Sequence, residues 1–361
     1  MHGNCCRQPS STVSPSVKSK VLELKLSDKY SEANIKHFTE LLAEYENIVL
    51  SYSNVYRTLK SANIKSPRKH KIKKVHPRRT PKPQKGIMLQ TDVTTHEFFK
   101  GDSKKYSLHG FIDDATGLIT GLYLCQNECL QGYLEINRQT LRNFGIPQSI
   151  YADGTNVFFN NNAKELTIKE QLNGLEQHKT QFGEIAEFLG IELIHAHFPQ
   201  AKGKIERLWN TLHDRLRVEF TINNITTVDQ ANIFLKDYIK KYNKQFAKKP
   251  ANRKSAFIPL PKGINLDRLL SAKFVRVPDN SNTISFNSQS FRIDCKECLY
   301  KKKITILINK KIGMKVLYND NLYNLIPILN NKETSSSNTS DSIESIISNF
   351  IYFHCFRNIK A

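Results

Sequence analysis

Three acidic residues, Asp92, Asp153 and Glu206, lie at positions where carboxylates could bind a metal ion. Asp92 interrupts the apolar and β-branched stretch "MLQTDVTTHEFF", although aspartate is rare in strands and costly to bury without a partner. Asp153 ends the stretch "QSIYADG", and Glu206 follows "PQAKGKI". Acids held together repel one another, and divalent cations with oxygen ligands, such as Mg²⁺, relieve that repulsion. Two such ions about 3.5–4 Å apart activate an attacking oxygen and stabilise the leaving oxygen of a phosphodiester.

The elements predicted around these acids would bring them together. Periodicity and turn residues predict strands over 86–99, 106–125 (two strands joined at "DDATG") and 148–154, a helix over 127–145, a helix and strand over 180–198, and helices within 199–220 and 226–247. A strand hairpin followed by strand–helix alternation is typical of a mixed α/β sheet. Aspartates on two neighbouring strands and a glutamate from a facing helix can converge in such a sheet.

Basic residues surround Glu206 at the start of its predicted helix. Lys202, Glu206 and Asn210 are spaced i, i+4 and i+8, so they share one helix face if the helix begins early enough. We expect that face to meet metal and DNA backbone, with Lys202, Lys204 and Arg207 as DNA contacts. The alternative is an ordinary surface helix with an i,i+4 ion pair.

The charge of the chain indicates a polyanionic partner. Its 361 residues carry 54 Lys and Arg against 33 Asp and Glu, a formal net charge of +21. Nucleic acid is the usual partner of so basic a protein, with a ribosomal or anionic-membrane role as alternatives. No apolar run reaches the ~18–20 residues of a membrane span, and residues 1–20 lack a secretory signal pattern. Seven cysteines, an odd number, predict no disulfide framework and suit a reducing cytoplasm.

Much of this charge lies in a proline-punctuated segment, "SPRKHKIKKVHPRRTPKPQKG". It predicts an extended basic linker that follows phosphates, because its prolines prevent one continuous helix and it contains no acid. A solvated tether is the alternative. The DNA-binding candidates here are Arg68, Lys69, Lys71, Lys73, Lys74, Arg78 and Arg79.

Two helical patterns precede the linker. Residues 31–47 repeat apolar side chains at helical spacing after a candidate N-cap, Ser31, and residues 51–64 begin at a second candidate cap, Ser51. A helix, a short turn and a short helix with polar N-terminal residues fit a helix-turn-helix that enters the major groove. A plain helical hairpin is the alternative. The predicted base-reading residues are Ser53, Asn54 and Arg57.

For the other acids, cysteines and histidines that could form a site, the sequence favours structural roles. Asp113 and Asp114 fit hairpin-turn chemistry. Half of a zinc pattern, "CKEC" (295–298), lacks a second half, and Cys125 and Cys129 likewise lack partners at matching spacing. For His195 and His197 we expect strand or DNA-facing roles.

Four stretches together resemble the DDE integrase-type core of bacterial insertion-sequence transposases, and the ISNCY-type group in particular. They are "QTDVTTHEFF", "FIDDATGLITGLYL", "GIPQSIYADGTNVF" and "HAHFPQAKGKIERLWNTLHDRL". The resemblance covers about residues 30–325. It implies an α/β, ribonuclease-H-like mixed sheet with an N-terminal helix-turn-helix and a small C-terminal β-barrel. The family's two aspartates and glutamate fall on Asp92, Asp153 and Glu206.

The resemblance also implies a function. It predicts a polynucleotidyl transferase that binds two Mg²⁺ ions, with Mn²⁺ as a substitute, cleaves the 3′ ends of an insertion sequence and joins them to target DNA. Its partners would be double-stranded element ends and target, bound by a homo-oligomer in the bacterial cytoplasm at the nucleoid, with no membrane. Three alternatives stay open: a structure-selective nuclease, a transposase-derived DNA-binding protein, and an inactive truncated copy, because the family's upstream helix-turn-helix is expected to be missing.

The predicted division of the chain follows from these patterns. Short strands between Asn, Asp and Gly turns mark the C-terminal domain, and a Ser-rich and apolar stretch follows it. The segments are 1–30 irregular, 31–65 helix-turn-helix, 66–86 basic linker, 87–250 catalytic core, 251–270 connector, 271–328 small β-rich domain, and 329–361 tail.

Overall fold

The computed structural model describes residues 13–67, 80–160, 179–196, 202–287 and 289–328. Its contacts divide the chain into two compact units: residues 1–77, 97–104 and 207–230 form the first, and residues 78–96, 105–206 and 231–361 the second. Several predicted features lie outside the described residues: Arg68, Lys69, Lys71, Lys73, Lys74, Arg78, Arg79, His197 and the tail 329–361.

Three helices begin the first unit: α1 (Pro15–Leu26), α2 (Ile35–Tyr45) and α3 (Tyr52–Ser61). Their apolar faces form one core, in which Phe38 and Leu41 of α2 and Val55 and Leu59 of α3 are fully buried. Ser51 caps α3 as predicted, since its hydroxyl accepts the Asn54 N–H at 3.2 Å. The helix pair expected over 31–64 is therefore present, and its role in DNA binding stays a prediction.

Two predictions about this region are wrong. Residues 1–30 were expected to be irregular, yet α1 begins behind the Ser14 cap with Pro15 in its first turn. The helix escapes pattern analysis because it buries Val21 and Lys25, and a buried lysine breaks the apolar stripe. The second error concerns the start of α2, where Asn34, not Ser31, accepts the His37 N–H at 2.9 Å.

A five-stranded mixed sheet organises the second unit. Its strands are β1 (Met88–His96), β2 (Tyr106–Asp113), β3 (Ile119–Cys125), β4 (Ser149–Ala152) and β5 (Glu192–His195). Their order is β3-β2-β1-β4-β5; β1, β2 and β3 pair antiparallel, whereas β4 pairs parallel with β1 and β5. This order of a meander followed by two parallel strands fits the ribonuclease-H-like fold predicted.

The remaining helices are α4 (Leu130–Asn143), α5 (Gln181–Phe188), α6 (Gly203–Ile222), α7 (Val228–Phe246) and the short α8 (Leu266–Leu269). Helix α4 packs on the sheet through Leu134 and Ile136, which are fully buried with Phe111 of β2. Two asparagine side chains of helix α7 form hydrogen bonds with the edge strand β3. The Asn243 amide bonds the backbone N–H and carbonyl of Ile119, and the Asn232 amide does the same with Leu124. Helix α4 therefore covers the sheet, and helix α7 protects its β3 edge.

The C-terminal region forms a second sheet. Strands β6 (Ala272–Arg276), β7 (Thr283–Phe286), β8 (Gln289–Ile293), β9 (Ile304–Asn309), β10 (Gly313–Tyr318) and β11 (Asn321–Pro327) pair antiparallel in the order β6-β9-β10-β11-β8-β7. The β-rich domain is therefore present. Among the described residues no pairing joins the edge strands β6 and β7, so barrel closure stays a prediction.

Two further properties concern the chain as a whole. The two contact units cut across the predicted core, because residues 97–104 and 207–230 group with the N-terminal helices. Along the part of the chain that the structure describes, no helix combines the length and apolar character that a bilayer crossing requires.

Candidate active site

The register of the parallel strands places two of the predicted acids level with each other. Strand β1 pairs with β4 through Leu89 opposite Ile150 and Gln90 opposite Tyr151. Two residues further along each strand lie Asp92 and Asp153. Because both strands run in the same direction, Asp92, inside β1, and Asp153, one residue past the end of β4, lie level with each other.

One lysine joins the two aspartates. The Lys202 Nζ atom lies 3.4 Å from Asp92 Oδ1 and 3.4 Å from Asp153 Oδ2. The two carboxylates therefore face one cation position. The Lys202 side chain is only 9% exposed, whereas those of Asp92 and Asp153 are 25% and 41% exposed. Lys202 was predicted to contact DNA, which stays a prediction; the structure gives its ammonium these two carboxylates.

Glu206 enters from the first turn of α6. The Ile205 N–H donates to Gln90 Oε1 at 3.2 Å, which ties this turn to the strand that carries Asp92. Glu206 is exposed and lies four residues after Lys202, so the two share one side of the helix start. The fold thus brings together Asp92, Asp153 and Lys202, with Glu206 on the adjoining turn.

The oxygens of this site fit a hard divalent cation. Asp153 Oδ1 is buried and has no hydrogen-bond partner among the described residues, and the same is true of the Thr155 hydroxyl. Unsatisfied buried oxygens are rare in folded proteins, and a water molecule or a bound ion can satisfy them. Carboxylate and hydroxyl oxygens are the donors that Mg²⁺ and Mn²⁺ accept, so Asp92, Asp153 and Glu206 are suited to hold such an ion.

Sequence reasoning missed two neighbours of the aspartates. Glu128 accepts a hydrogen bond from the Tyr133 hydroxyl at 2.9 Å. Burial, chiefly, raises the pKa of Tyr133 well above its ordinary value, and the negative charges of Glu128, Asp153 and Asp92 add to that rise. Glu128 also lines a surface cavity beside Gly154 and Thr155. No motif marks Glu128, because it lies in the connection before α4.

His195 packs behind Asp153. A β-carbon added to Gly154 would lie 2.4 Å from His195 Nε2, so only glycine admits the ring at this distance. The ring also meets Phe159 edge to face, with centroids 4.9 Å apart. His195 is therefore a packing residue on β5, as the strand role predicted.

The other predicted DNA contacts differ in their exposure to solvent and in their bonds within the protein. On α3, Ser53 and Arg57 are exposed and Asn54 is half-buried. Arg207 is exposed. The Lys204 ammonium instead donates to the backbone carbonyls of Asp114 and Ala115, so it is already occupied within the protein.

The pair Asp113 and Asp114 is structural, as predicted. Both are buried at the β2–β3 turn. Asp113 Oδ2 accepts the Thr116 N–H at 2.9 Å and the Thr116 hydroxyl at 2.6 Å. The prediction for Cys125 and Cys129 is wrong, because the structure places His109 beside both. Among the described residues no metal-ligand cluster includes Cys295 or Cys298.

Comparisons with known proteins agree with this architecture. The transposase for insertion sequence IS1202 of Streptococcus pneumoniae is 31% identical over 369 residues, which cover 92% of this chain and 77% of that protein. The putative transposase y4bF of Sinorhizobium fredii (strain NBRC 101917 / NGR234) is 30% identical over 270 residues, 74% of this chain. The chain spans 57% of the length of y4bF. No protein-family model matches the chain.

Solved structures give a weaker likeness. The HTLV-2 integrase catalytic core domain in complex with magnesium (dimeric form) has a TM-score of 0.31 and 17% identity, over 45% of this chain and 89% of that one. The simian T-cell lymphotropic virus intasome in complex with the PP2A regulatory subunit B56 gamma has a TM-score of 0.34 and 15% identity, over 85% and 96% of the two chains. The fold assignment therefore rests on the strand order.

The strand order of the mixed sheet defines a protein with a ribonuclease-H-like core. The identity to the IS1202 enzyme carries the assignment further: the chain belongs to the insertion-sequence transposases. It is accordingly a DNA transposase, a polynucleotidyl transferase, as the sequence resemblance predicted. Membership of the ISNCY-type group stays a prediction.

Proposed function

We propose that the chain cuts the 3′ ends of its insertion sequence and joins them to target DNA at a two-metal site held by Asp92, Asp153 and Glu206. The observation that carries this proposal is the shared ion pair of Asp92 and Asp153 with the Lys202 ammonium, each at 3.4 Å. Two carboxylates that converge on one cation position are already arranged for a divalent ion. The buried Asp153 Oδ1, which has no hydrogen-bond partner in the described chain, supports the same assignment.

In this proposal each residue has a distinct task. Bound Mg²⁺, or Mn²⁺ in its place, would supply an activated water or 3′-hydroxyl and neutralise charge on the phosphodiester. Asp92 and Asp153 contribute their oxygens from rigid strands, and Glu206 contributes its carboxylate from the first turn of α6. The hydrogen bond from the Ile205 N–H to Gln90 keeps that turn against β1. Lys202, once a divalent ion neutralises the aspartates, becomes available to a phosphate oxygen.

We infer that affinity for double-stranded DNA comes from surfaces outside this site. Ser53, Asn54 and Arg57 at the start of α3 are proposed to read the element ends, because two of the three are exposed there. The basic linker is proposed to hold phosphates of element ends and target. Arg207 remains a phosphate candidate, and Lys204 a weaker one. A homo-oligomer at the bacterial nucleoid would hold both ends of the element.

A strand-transfer assay tests the proposal. A labelled duplex carrying the element end, a target plasmid and Mg²⁺ or Mn²⁺ should give 3′ nicks and joined products with the full chain. Asp92→Asn, Asp153→Asn and Glu206→Gln should each lower the rate by about 10²–10⁴-fold, the equivalent of several kcal/mol of metal-derived transition-state stabilisation.

Asp237→Asn is the matched control, because Asp237 is a strongly exposed aspartate paired with Lys240 on α7. It should leave both steps unchanged. All four variants should bind the duplex as wild type does in a gel-shift assay. Near-normal strand transfer by Asp153→Asn in Mg²⁺ would refute the assignment of the metal ligands.

A further inference from the structure

A second group of metal-ligand side chains lies buried in the unit that carries the aspartates. His109 of β2, Cys125 at the end of β3 and Cys129 at the start of α4 each offer one ligand atom, and these atoms all lie within 4.8 Å of one another. All three residues are buried, and neither cysteine forms a disulfide. The cluster contains no carboxylate and is therefore chemically distinct from the Asp92 site.

The sheet register explains why these residues meet. Ser107 lies opposite Cys125, and His109 lies opposite Tyr123 in the antiparallel pair β2–β3. Residues two apart on a strand share one face, so His109 and Cys125 are diagonal neighbours on the same face. Cys129 follows four residues later as the N-cap of α4, and its side chain makes no capping hydrogen bond.

The imidazole ring of His109 is held on two sides by α4. A β-carbon added to Gly132 would lie 2.5 Å from three of the ring atoms, so this position admits only glycine. The neighbouring Tyr133 ring meets His109 edge to face, with centroids 4.9 Å apart. Such packing contacts fix the orientation of the His109 ring.

We propose that His109, Cys125 and Cys129 bind a thiophilic divalent metal ion, for which Zn²⁺ is the chemical match. Two thiolates and an imidazole are soft or borderline donors that favour zinc over magnesium. Zinc at about 2.3 Å from sulfur and about 2.0–2.1 Å from nitrogen would bring tetrahedral donors to about 3.5–3.8 Å from one another. The donors, which lie within 4.8 Å of one another, therefore need to close by at most about 1.0–1.3 Å, and the fourth position is left to a water molecule.

Loading this site would exchange one hydrogen bond for a metal bond. His109 Nε2 accepts the Cys129 N–H at 3.2 Å, so that nitrogen presents a lone pair, the form of imidazole that a metal binds. The Cys129 N–H would be left among thiolates, which are acceptors. Because Gly110, the residue after His109, lies opposite Asp92, the ion would brace β2, the strand next to the one that carries Asp92.

Cobalt substitution tests the site on the full chain. The reduced protein, stripped with chelator and titrated with Co²⁺, should bind one equivalent at this site and show thiolate-to-cobalt charge-transfer absorption. Cys125→Ala and Cys129→Ala should each lose that equivalent. The double variant Cys295→Ala/Cys298→Ala is the matched control, because it removes two cysteines outside the cluster and should keep the equivalent.

A stability measurement covers variants that fold poorly. Stripping the metal should lower the thermal midpoint of wild type by several degrees, because an ion that binds only the folded chain stabilises it. The midpoint of Cys125→Ala should not respond to the chelator, and this comparison is made within each protein. Three results would overturn the proposal: wild type without thiolate–cobalt absorption, Cys125→Ala with full absorption, or a Cys125–Cys129 disulfide in protein purified under reducing conditions.

Discussion

Two pairs of aspartates occupy the same mixed sheet and differ in how their oxygens are satisfied. Asp113 Oδ1 accepts the Gly86 N–H at 2.8 Å, and its Oδ2 accepts both donors of Thr116. Asp114 accepts the Lys82 N–H and the Gln90 amide, each at 2.7 Å. Every oxygen of this pair therefore has a protein donor, which makes the pair part of the framework.

The pair Asp92 and Asp153 is arranged in the opposite way. Its oxygens converge on the ammonium of Lys202 at 3.4 Å, a distance of ion pairing rather than of a short hydrogen bond. Asp153 Oδ1 has no hydrogen-bond partner among the described residues. Asp153 therefore retains one oxygen that a water molecule or an ion can satisfy. Burial and hydrogen bonding change together between the two pairs: Asp113 and Asp114 are buried with every oxygen bonded, whereas the side chains of Asp92 and Asp153 are 25% and 41% exposed.

The largest expected effect is that Asp113→Asn lowers stability but not activity, whereas Asp153→Asn lowers activity but not stability. Asp113→Asn should lower the free energy of unfolding by about 1–3 kcal/mol, because an amide NH₂ group cannot accept the bonds that one carboxylate oxygen now accepts. Asp153→Asn should change it by less than about 1 kcal/mol, because it weakens only the ion pair of a partly exposed carboxylate with Lys202. Urea unfolding measures both values.

Activity should follow the reverse order. Folded Asp113→Asn should transfer strands at a near wild-type rate, whereas Asp153→Asn should be inactive. Equal destabilisation by the two substitutions would remove the distinction between the pairs.

A smaller effect is expected at the lysine between the functional pair. Lys202→Met should tighten Mg²⁺ or Mn²⁺ binding about tenfold, or about 1.4 kcal/mol, because the ammonium and the divalent ion compete for the same carboxylates. Calorimetric titration of the full chain measures the affinity. Lys240→Met, which removes a surface lysine paired with Asp237, is the control and should bind the ion as wild type does. Unchanged or weaker binding by Lys202→Met would show that Lys202 does not compete with the metal.

Sequence patterns predicted most of the framework that places these pairs. The "DDATG" turn marked the β2–β3 hairpin, and the predicted helix over 127–145 is α4, because turn residues and periodicity are local signals. Helix α1 was missed because a lysine stands on its buried face.

Contacts between distant residues could not be predicted in the same way. His109 meets Cys125 through the register of the β2–β3 pair, which shifts at an irregularity between Phe111 and Ile112. A slip of one residue would turn His109 to the other face, and sequence alone does not specify the bulge. The pairing of Lys202 with Asp92 spans 110 residues and depends on where α6 begins. Spacing predicts that Asp92, Asp153 and Glu206 form one site, which stays a prediction, and it does not indicate that Lys202 pairs with both aspartates.

The smallest effect concerns the pH dependence of stability at the structural pair. Burial raises the pKa of Asp113, although hydrogen bonds from Gly86 and Thr116 and the charge of Lys204 act to lower it. The folded chain therefore keeps this proton to a higher pH than the unfolded chain, whose carboxyl has a pKa of about 3.9. Between the two pKa values the native state binds more protons, so the free energy of unfolding falls as pH rises, by at most about 1.4 kcal/mol per pH unit for one proton.

This contribution is fully present below about pH 4 and is lost as pH rises through the folded pKa. Subtracting the urea-unfolding profile of Asp113→Asn from that of wild type isolates it, because the other groups titrate alike in both proteins. We expect that difference to decline as pH rises from about 4. Asp237→Asn gives a control of opposite sign, since the Lys240 hydrogen bond lowers the pKa of Asp237 and its contribution is lost as pH falls. Parallel profiles for wild type and Asp113→Asn would mean that the donors around Asp113 compensate fully for its burial.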